Sequence, residues 1–183
     1  MNSAFKLMVA MLTILAAGGL AVISSNYSPG FASNLEIAGI YSASLAGDAE
    51  IPKVNTDATG EALLESNAQA AVLGDSAATA SGSDISYKID VQNIEEISSA
   101  YIHMGRSDEN GPIIASLFKP QTPTGKINGE LVNGTLSAEN LEGPLVGKQI
   151  SELLDLFDRG EAYVNIHTAA NPDGEIRGTV QQG

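Results

Sequence analysis

A hairpin near the C-terminal end, residues 160–178, constrains the fold more than any other part of the sequence. Its centre reads Asn-Pro-Asp-Gly over residues 171–174, which is typical of a tight turn because proline presets φ and glycine accepts positive φ. Apolar and polar residues alternate on both sides of the turn, which is the pattern of half-buried strands. We therefore expect two antiparallel strands here, with one face of the pair against a core.

The two faces of the first strand differ in chemistry. Val164 and Ile166 lie on one face and Tyr163, Asn165 and His167 on the other, because strand side chains alternate with period two. Solvation alone would be served by Lys, Glu or Thr. The Tyr, Asn and His side chains therefore raise the question of function.

Strand-like segments recur along the chain and predict an all-β fold. The residues that separate them are Gly, Pro, Asn and Asp, which favour turns. The predicted strands cover residues 40–46, 60–66, 85–92, 100–104, 113–118, 125–132, 162–168 and 175–180. Many short strands with turn signals favour an antiparallel Greek-key β-sandwich, immunoglobulin-like or superoxide-dismutase-like. Residues 67–83 break the pattern, and we interpret them as an insertion without an assigned role.

One segment, residues 149–159, predicts a short helix. Gly160 follows it and is placed to end the helix in a left-handed conformation. We expect the helix to pack across an open end of the sandwich. Four of its residues have the i, i+3, i+4, i+7 spacing of one apolar face: Ile150, Leu153, Leu154 and Phe157.

The N-terminal segment predicts export. Lys6 precedes seventeen uncharged residues, Leu7–Ile23, a length at the border between a signal-peptide core and a membrane span. Small residues at 30 and 32 suit a signal peptidase, so a cleaved signal is favoured and an uncleaved membrane anchor is the alternative. The domain that follows is then secreted or otherwise extracytoplasmic. The predicted division is residues 1–32 signal peptide or anchor, 33–39 spacer, and 40–183 one β-sandwich domain.

Composition argues against several classes of function. The formal net charge is −13, which disfavours nucleic acid, because its binding needs Lys and Arg to neutralise phosphates. Membrane contact is expected only through an uncleaved N-terminal segment. The chain has no cysteine and therefore no disulfide, lipid-attachment cysteine or thiolate metal site. An acidic surface is typical of a solvated extracellular protein, and it also attracts cations.

Several motifs, in order along the chain, resemble those of the CHRD domain, an extracellular module named after chordin and also found alone in microbial secreted proteins. The motifs are residues 41–47, 50–52, 58–62, 100–105, 111–118 and 160–178. The chain departs from the family pattern at Tyr101, where the first histidine of a His-x-His pair often stands, and at the 67–83 segment. The resemblance implies a secreted or cell-surface, non-enzymatic binding module, and it does not identify the ligand or the extracellular partner.

The candidate site is a group of polar and aromatic residues opposite the core. The chain contains two histidines, His103 and His167, and alternation directs both imidazoles to the outer face of the sheet. We predict that strands 100–104 and 162–168 are neighbours, with the imidazoles close enough to share a ligand, a water or a hydrogen-bond partner. The outer-face patch then consists of Tyr101, His103, Tyr163, Asn165, His167 and Arg177.

Three interpretations of the outer-face patch are open. In the first, its residues form a hydrogen-bonded ladder that fixes strand register. In the second, they bind an extracellular protein or a small ligand, because clustered Tyr, Arg and His on a rigid sheet suit recognition. In the third, His103 and His167 bind copper or zinc with help from carboxylates. A structural subunit of the cell envelope is an alternative for the protein as a whole.

The sequence offers no motif that predicts an enzyme. It has neither a nucleophilic cysteine nor a Gly-x-Ser-x-Gly elbow, and the glycine-rich nucleotide-binding patterns are absent. A metal-dependent redox activity is compatible only with the third interpretation of the patch.

Asn133 begins an Asn-Gly-Thr glycosylation sequon. We expect it to lie in a hairpin turn and to be accessible to modification in a cell that has the machinery.

Overall fold

The computed structural model describes residues 39–67 and 84–183. The predicted signal peptide or anchor, nearly all of the spacer and most of the predicted 67–83 insertion lie outside the described residues. No helix in the described ranges is long and apolar enough to cross a lipid bilayer.

The described residues form nine strands and one α-helix. The strands are β1 (Ile40–Ala46), β2 (Thr59–Asn67), β3 (Asp84–Ile94), β4 (Ile97–Met104), β5 (Ile113–Phe118), β6 (Ile127–Leu136), β7 (Ala162–Thr168), β8 (Ile176–Thr179) and β9 (Gln181–Gln182). The helix, α1, is Ile150–Asp158, and single 3₁₀ turns lie at Gly47–Ala49, Ala138–Asn140 and Gly143–Leu145. The predicted strands all appear, although β6 lies a few residues further along the chain than expected.

One antiparallel sheet contains all of these strands. Their order is β5-β4-β7-β8-β1-β2-β3-β6, and β9 pairs with the start of β1. The sheet curls until its edge strands β5 and β6 approach each other, and the Tyr87 hydroxyl of β3 donates a 2.8 Å hydrogen bond to the Leu117 carbonyl of β5. The predicted all-β class with one short helix is confirmed. The architecture is a nearly closed barrel rather than two stacked sheets, because the sheet is continuous.

The barrel interior is built by strand alternation. In β2, Ala62 and Leu64 are buried, whereas Glu61, Leu63 and Glu65 are exposed. Tyr41, Ala43 and Leu45 of β1 and Val164 and Ile166 of β7 belong to the same apolar core. Full burial of each Leu, Ile or Val side chain contributes roughly 1.5–3 kcal/mol.

Helix α1 packs its apolar face onto this core. Leu153 and Phe157 are buried as predicted, but Leu156 is buried and Leu154 only partly so. The apolar face therefore lies slightly further round the helix than the spacing indicated. Gly160, at φ +62°, ends the helix in the predicted left-handed conformation.

Tyr41 connects α1 to the sheet. Its ring lies 5.2 Å from that of Phe157, and its hydroxyl donates a 2.8 Å hydrogen bond to the Asp158 carboxylate. Burial, the Asp158 hydrogen bond and the nearby negative charges raise the pKa of Tyr41 to about 12. The hydroxyl therefore remains a donor over the range in which proteins work.

The sequon at Asn133 lies within β6 and not in a hairpin turn. Gly134 is there because Tyr87, its partner on β3, covers it: a Cβ at this glycine would lie 2.6 Å from the Tyr87 hydroxyl. The glycine of this Asn-Gly pair therefore allows packing against Tyr87 and does not form a turn. Asn133 itself is exposed, and its amide donates to Glu130.

Candidate functional site

Strands β4, β7 and β8 bring the outer-face patch together. The register pairs His103 with Tyr163, Tyr101 with Asn165, and Asn165 with Arg177. All six residues therefore lie on the face of the sheet opposite Val164 and Ile166. The prediction that the two histidine strands are neighbours is confirmed.

This outer face is nevertheless covered, and it does not meet solvent as the outer face of β2 does. Every residue of β7 is buried, on both faces of the strand. Only Tyr101 of the outer-face patch is partly exposed. The other exposed fractions are 1% for Arg177, 2% for Tyr163, 3% for Asn165, 8% for His103 and 9% for His167. The outer-face patch is therefore an internal polar layer under covering loops.

Arg177 fastens one of the covering loops, residues 105–112. Its Nη1 donates to Asn110 Oδ1 at 2.8 Å, and its Nη2 donates to the carbonyls of Arg106 and Glu109 at 3.1 and 2.9 Å. The guanidinium also lies 3.8 Å from the centroid of the Tyr163 ring, a cation–π arrangement. The fixed fork of the arginine thus contributes three hydrogen bonds to the anchoring of this loop.

The same loop is joined to the rest of the cover. The Asn110 amide donates a 2.7 Å hydrogen bond to the Ile51 carbonyl, and the Gly111 N–H donates to the Tyr163 hydroxyl at 3.1 Å. The segment that follows β1 and the loop that follows β4 therefore form one continuous cover.

Both histidines have the same hydrogen-bond pattern. Nδ1 of His103 lies 2.9 Å from the Gly111 carbonyl, and Nδ1 of His167 lies 2.7 Å from the Pro172 carbonyl. A carbonyl only accepts, so each Nδ1 carries the proton and each Nε2 of a neutral ring presents a lone pair. Both Nε2 atoms are buried and have no hydrogen-bond partner among the described residues.

The two imidazoles share one aromatic cluster. Their centroids are 5.8 Å apart, with planes 20° from parallel. Tyr163 stacks on His103 at 5.0 Å, and the Tyr101 ring is nearly perpendicular to those of His103 and His167, with centroids 6.0 and 5.4 Å away. Burial lowers the pKa of His103, and positive charge on His167 and Arg177 lowers it further against the opposing hydrogen bond to Gly111. The His103 ring therefore favours its neutral form.

Glu50 belongs to the same layer, although sequence reasoning did not select it. It is 5% exposed, and its Oε1 and the Asn165 Oδ1 are buried with no hydrogen-bond partner in residues 39–67 and 84–183. Both side chains face Gly174, where a Cβ would lie 2.6 Å from each. Burial raises the pKa of Glu50 to about 7, although the Arg177 charge and the Ile51 backbone N–H lower it. We call the outer-face patch together with Glu50 the polar layer.

Glu175 was also missed, and it holds the cover on the other side. Its carboxylate accepts hydrogen bonds of 2.7 Å from Thr56 and Thr168 and of 2.8 Å from the Asn171 amide. Burial alone would raise its pKa, but these three hydrogen bonds outweigh it and the pKa is lowered. A single acidic residue after a turn carries no sequence signal for such a role, because one of its partners, Thr56, is 119 residues away in sequence.

Among the described residues, this layer offers a metal ion two imidazoles, those of His103 and His167. Within residues 39–67 and 84–183, no group of three or more His, Asp or Glu side chains is arranged to hold an ion. The predicted help from carboxylates is therefore not provided there, and Glu50 faces Asn165 and Arg177 instead.

Comparison with known families decides what this module is. The CHRD domain model matches residues 41–180. The chain belongs to the CHRD domain family. No curated protein and no solved structure matches the chain. The matched range contains every residue of the polar layer, so the layer lies within the CHRD domain. Glu50 also lies in one of the motifs that carried the resemblance, which is the one signal that could have drawn attention to it.

Proposed function

We propose that this CHRD domain is an exported, non-enzymatic module that binds a small ligand inside its polar layer. One observation supports this most: four buried polar atoms in the layer, on Glu50, His103, Asn165 and His167, have no hydrogen-bond partner within the part of the chain that the structure describes. Leaving such an atom unpaired costs about 1–3 kcal/mol. A bound group that pairs with two or more of them accounts for their retention in a region that the loops cover.

A small ligand fits the layer better than an extracellular protein does. The covering loops bury all of the layer except part of Tyr101, whereas protein recognition relies on side chains that a partner can reach. An enzyme is not favoured, because Nε2 of each histidine, the nitrogen that would act as a base, has no serine or cysteine partner among the described residues.

Export is supported by the apolar segment Leu7–Ile23, which lies outside the described residues. We expect the mature chain to begin near Ser33. Mass spectrometry of the exported protein tests this, and a terminus at Met1 or Asn2 would replace secretion by membrane anchoring.

Native mass spectrometry of the protein from its own cells tests the binding function. The protein should carry a mass excess that disappears on denaturation. The excess should be lost in His167→Gln and retained in Leu63→Thr, a change on the exposed face of β2. A mass equal to that of the chain alone, or an excess unaffected by His167→Gln, would contradict a ligand in the polar layer.

A further inference from the structure

We propose that the ligand is a cuprous ion, held by Nε2 of His103 and Nε2 of His167. This inference rests on the proposed function, since it names the ligand of the same layer. It is carried by the two buried Nε2 atoms that lack a partner among the described residues, on rings whose centroids are 5.8 Å apart, and by the charge and donor groups around them.

The two imidazoles are set up as ligands before any metal arrives. A metal-binding histidine characteristically donates its other ring N–H to a carbonyl or carboxylate, which fixes the tautomer and the ring orientation. His103 and His167 both do so, through Gly111 and Pro172. Each ring is also held by aromatic contact, with Tyr163 and Tyr101 against His103 and with Tyr101 against His167. Because both rings are held in this way, each Nε2 can bind a metal ion while the Nδ1 hydrogen bonds stay in place.

The charge of the layer favours a monovalent ion. The described residues supply no carboxylate to the histidine pair, and the Arg177 guanidinium lies 3.8 Å from the centroid of the Tyr163 ring, which stacks on His103. Burying a charge is costly unless opposite charges compensate it. The free-energy cost of burying a divalent ion here is therefore larger than that of burying a monovalent one.

The number of donors points in the same direction. Zinc in proteins is almost always held in a tetrahedral site by at least three protein side chains, and the layer offers two imidazoles. Imidazole is a good copper ligand, and the filled d shell of cuprous copper accepts coordination by two nitrogen donors alone. No electron transfer is part of this proposal; the ion binds and leaves in the same oxidation state.

Tyr101 gives the pair a connection to solvent. It is the partly exposed member of the layer, it contacts both imidazole rings, and Lys119 Nζ lies 5.7 Å from its ring centroid. The histidine pair therefore lies next to the member of the layer that contacts solvent.

Anaerobic competition between the purified protein and a coloured cuprous chelator measures the affinity. We expect one equivalent of Cu(I) to bind, and Zn(II) to bind at least about 100-fold more weakly. His103→Gln and His167→Gln should each lower the Cu(I) affinity by more than the roughly 100-fold that loss of a supporting hydrogen bond can cost. Leu63→Thr should leave it unchanged. Tighter binding of Zn(II), or Cu(I) binding that survives both histidine changes, would overturn the proposal.

Nitrogen-15 NMR of the unaltered protein keeps the test independent of whether the variants fold. Without metal, both rings should show a protonated Nδ1 and an unprotonated Nε2. Cu(I) should shift both Nε2 signals and leave the Nδ1 protons in place. Unshifted Nε2 signals under saturating Cu(I) would overturn the proposal.

The two proposals fail in different ways. An organic mass excess from native cells, without Cu(I) binding, would sustain the proposed function and remove copper. No mass excess and no Cu(I) binding would remove both, and the polar layer would then be a hydrogen-bonded structural element.

Discussion

The two halves of the barrel wall differ in the solvent exposure of their outer faces. On β2, β3 and β6 the outer face meets water, with Leu63 42% exposed and Lys88 in ion pairs with Asp90 and Glu130 at 2.8 and 3.7 Å. On β4, β7 and β8 the outer face is roofed by loops and carries imidazole, amide, phenol and guanidinium groups. One continuous sheet thus has a solvated half and a covered half.

This difference shows what strand alternation determines and what it does not. Period two fixes which side chains share a face, but loops far away in sequence decide whether that face meets water. The residue types were the available clue. Mobile charged side chains serve a wet face, whereas Tyr, Asn, His and Arg with fixed hydrogen bonds suit a covered one. Changes on the two faces, and in the interior that they share, should therefore differ in size.

The largest effect is expected in the shared interior. Phe157 of α1 is 1% exposed and packs on Tyr41, so Phe157→Ala should lower the free energy of unfolding by about 3–5 kcal/mol. Urea unfolding followed by circular dichroism measures it. A loss below about 1 kcal/mol would show that the helix is peripheral to the core.

The covered outer face should come next, through Arg177. Arg177→Met keeps an unbranched apolar side chain near Tyr163 but removes the donors to Asn110 and to the carbonyls of Arg106 and Glu109. We expect a loss of about 2–4 kcal/mol, because three hydrogen bonds from a buried, charged donor are removed. The amide of Gly111, which donates to Tyr163, should exchange hydrogen faster.

Arg159→Met is the matched control for Arg177. The Arg159 side chain is 55% exposed and pairs with Glu161 at 3.0 Å, and exposed ion pairs contribute little to stability. Equal effects of the two substitutions would remove the distinction between a covered and a solvated arginine.

Most of the fold could be predicted from local patterns. Alternation in residues such as Ile85, Ile89 and Val91 gave the strands, and the apolar spacing followed by Gly160 gave the helix. Closure into a barrel could not be predicted, because it depends on contacts such as Tyr87 with Leu117 between strands distant in sequence. Asn133-Gly134 misled for the same reason, since a partner strand made use of the glycine.

The residues of the site could be predicted from the sequence, but their burial under loops could not. Its two histidines and their neighbours followed from strand alternation and proximity within the sheet. The cover did not, because it depends on hydrogen bonds between distant parts of the chain, from Arg177 to Asn110 and from Thr56 to Glu175. Glu50 does not lie in a strand with alternating apolar and polar residues, so its burial beside Asn165 could be found only from the three-dimensional structure.

A third prediction uses pH to examine the covered face. The pKa of Glu50 is raised from 4.5 to about 7 in the folded protein, so the folded state holds a proton that the unfolded state releases between those values. Stability from this group is therefore complete below pH 4.5 and is lost as the pH rises to about 7. Glu50→Gln, which cannot ionise, should be more stable than the unaltered protein at pH 8 by about 1–2 kcal/mol after allowance for solvent screening.

The measurement for Glu50 is a series of unfolding curves from pH 4 to pH 8. The difference between Glu50→Gln and the unaltered protein should grow between pH 4.5 and 7 and level off above that range. A difference independent of pH would show that the Glu50 carboxyl is solvated like those of the uncovered face.

The smallest effect should lie on the uncovered face itself. Leu63 of β2 points outward and is 42% exposed, while Leu64, its neighbour in sequence, points inward and is 0% exposed. Leu63→Thr should change the free energy of unfolding by less than about 0.5 kcal/mol, because threonine suits a strand and the site remains wet. Leu64→Ala should cost about 2–5 kcal/mol through lost burial and an internal cavity.

Unfolding curves of both variants under one condition compare adjacent residues with the same side chain. A cost for Leu63→Thr approaching that for Leu64→Ala would mean that the outer face of β2 is also covered, for instance by a second copy of the protein. That outcome would end the contrast between the two halves of the barrel wall.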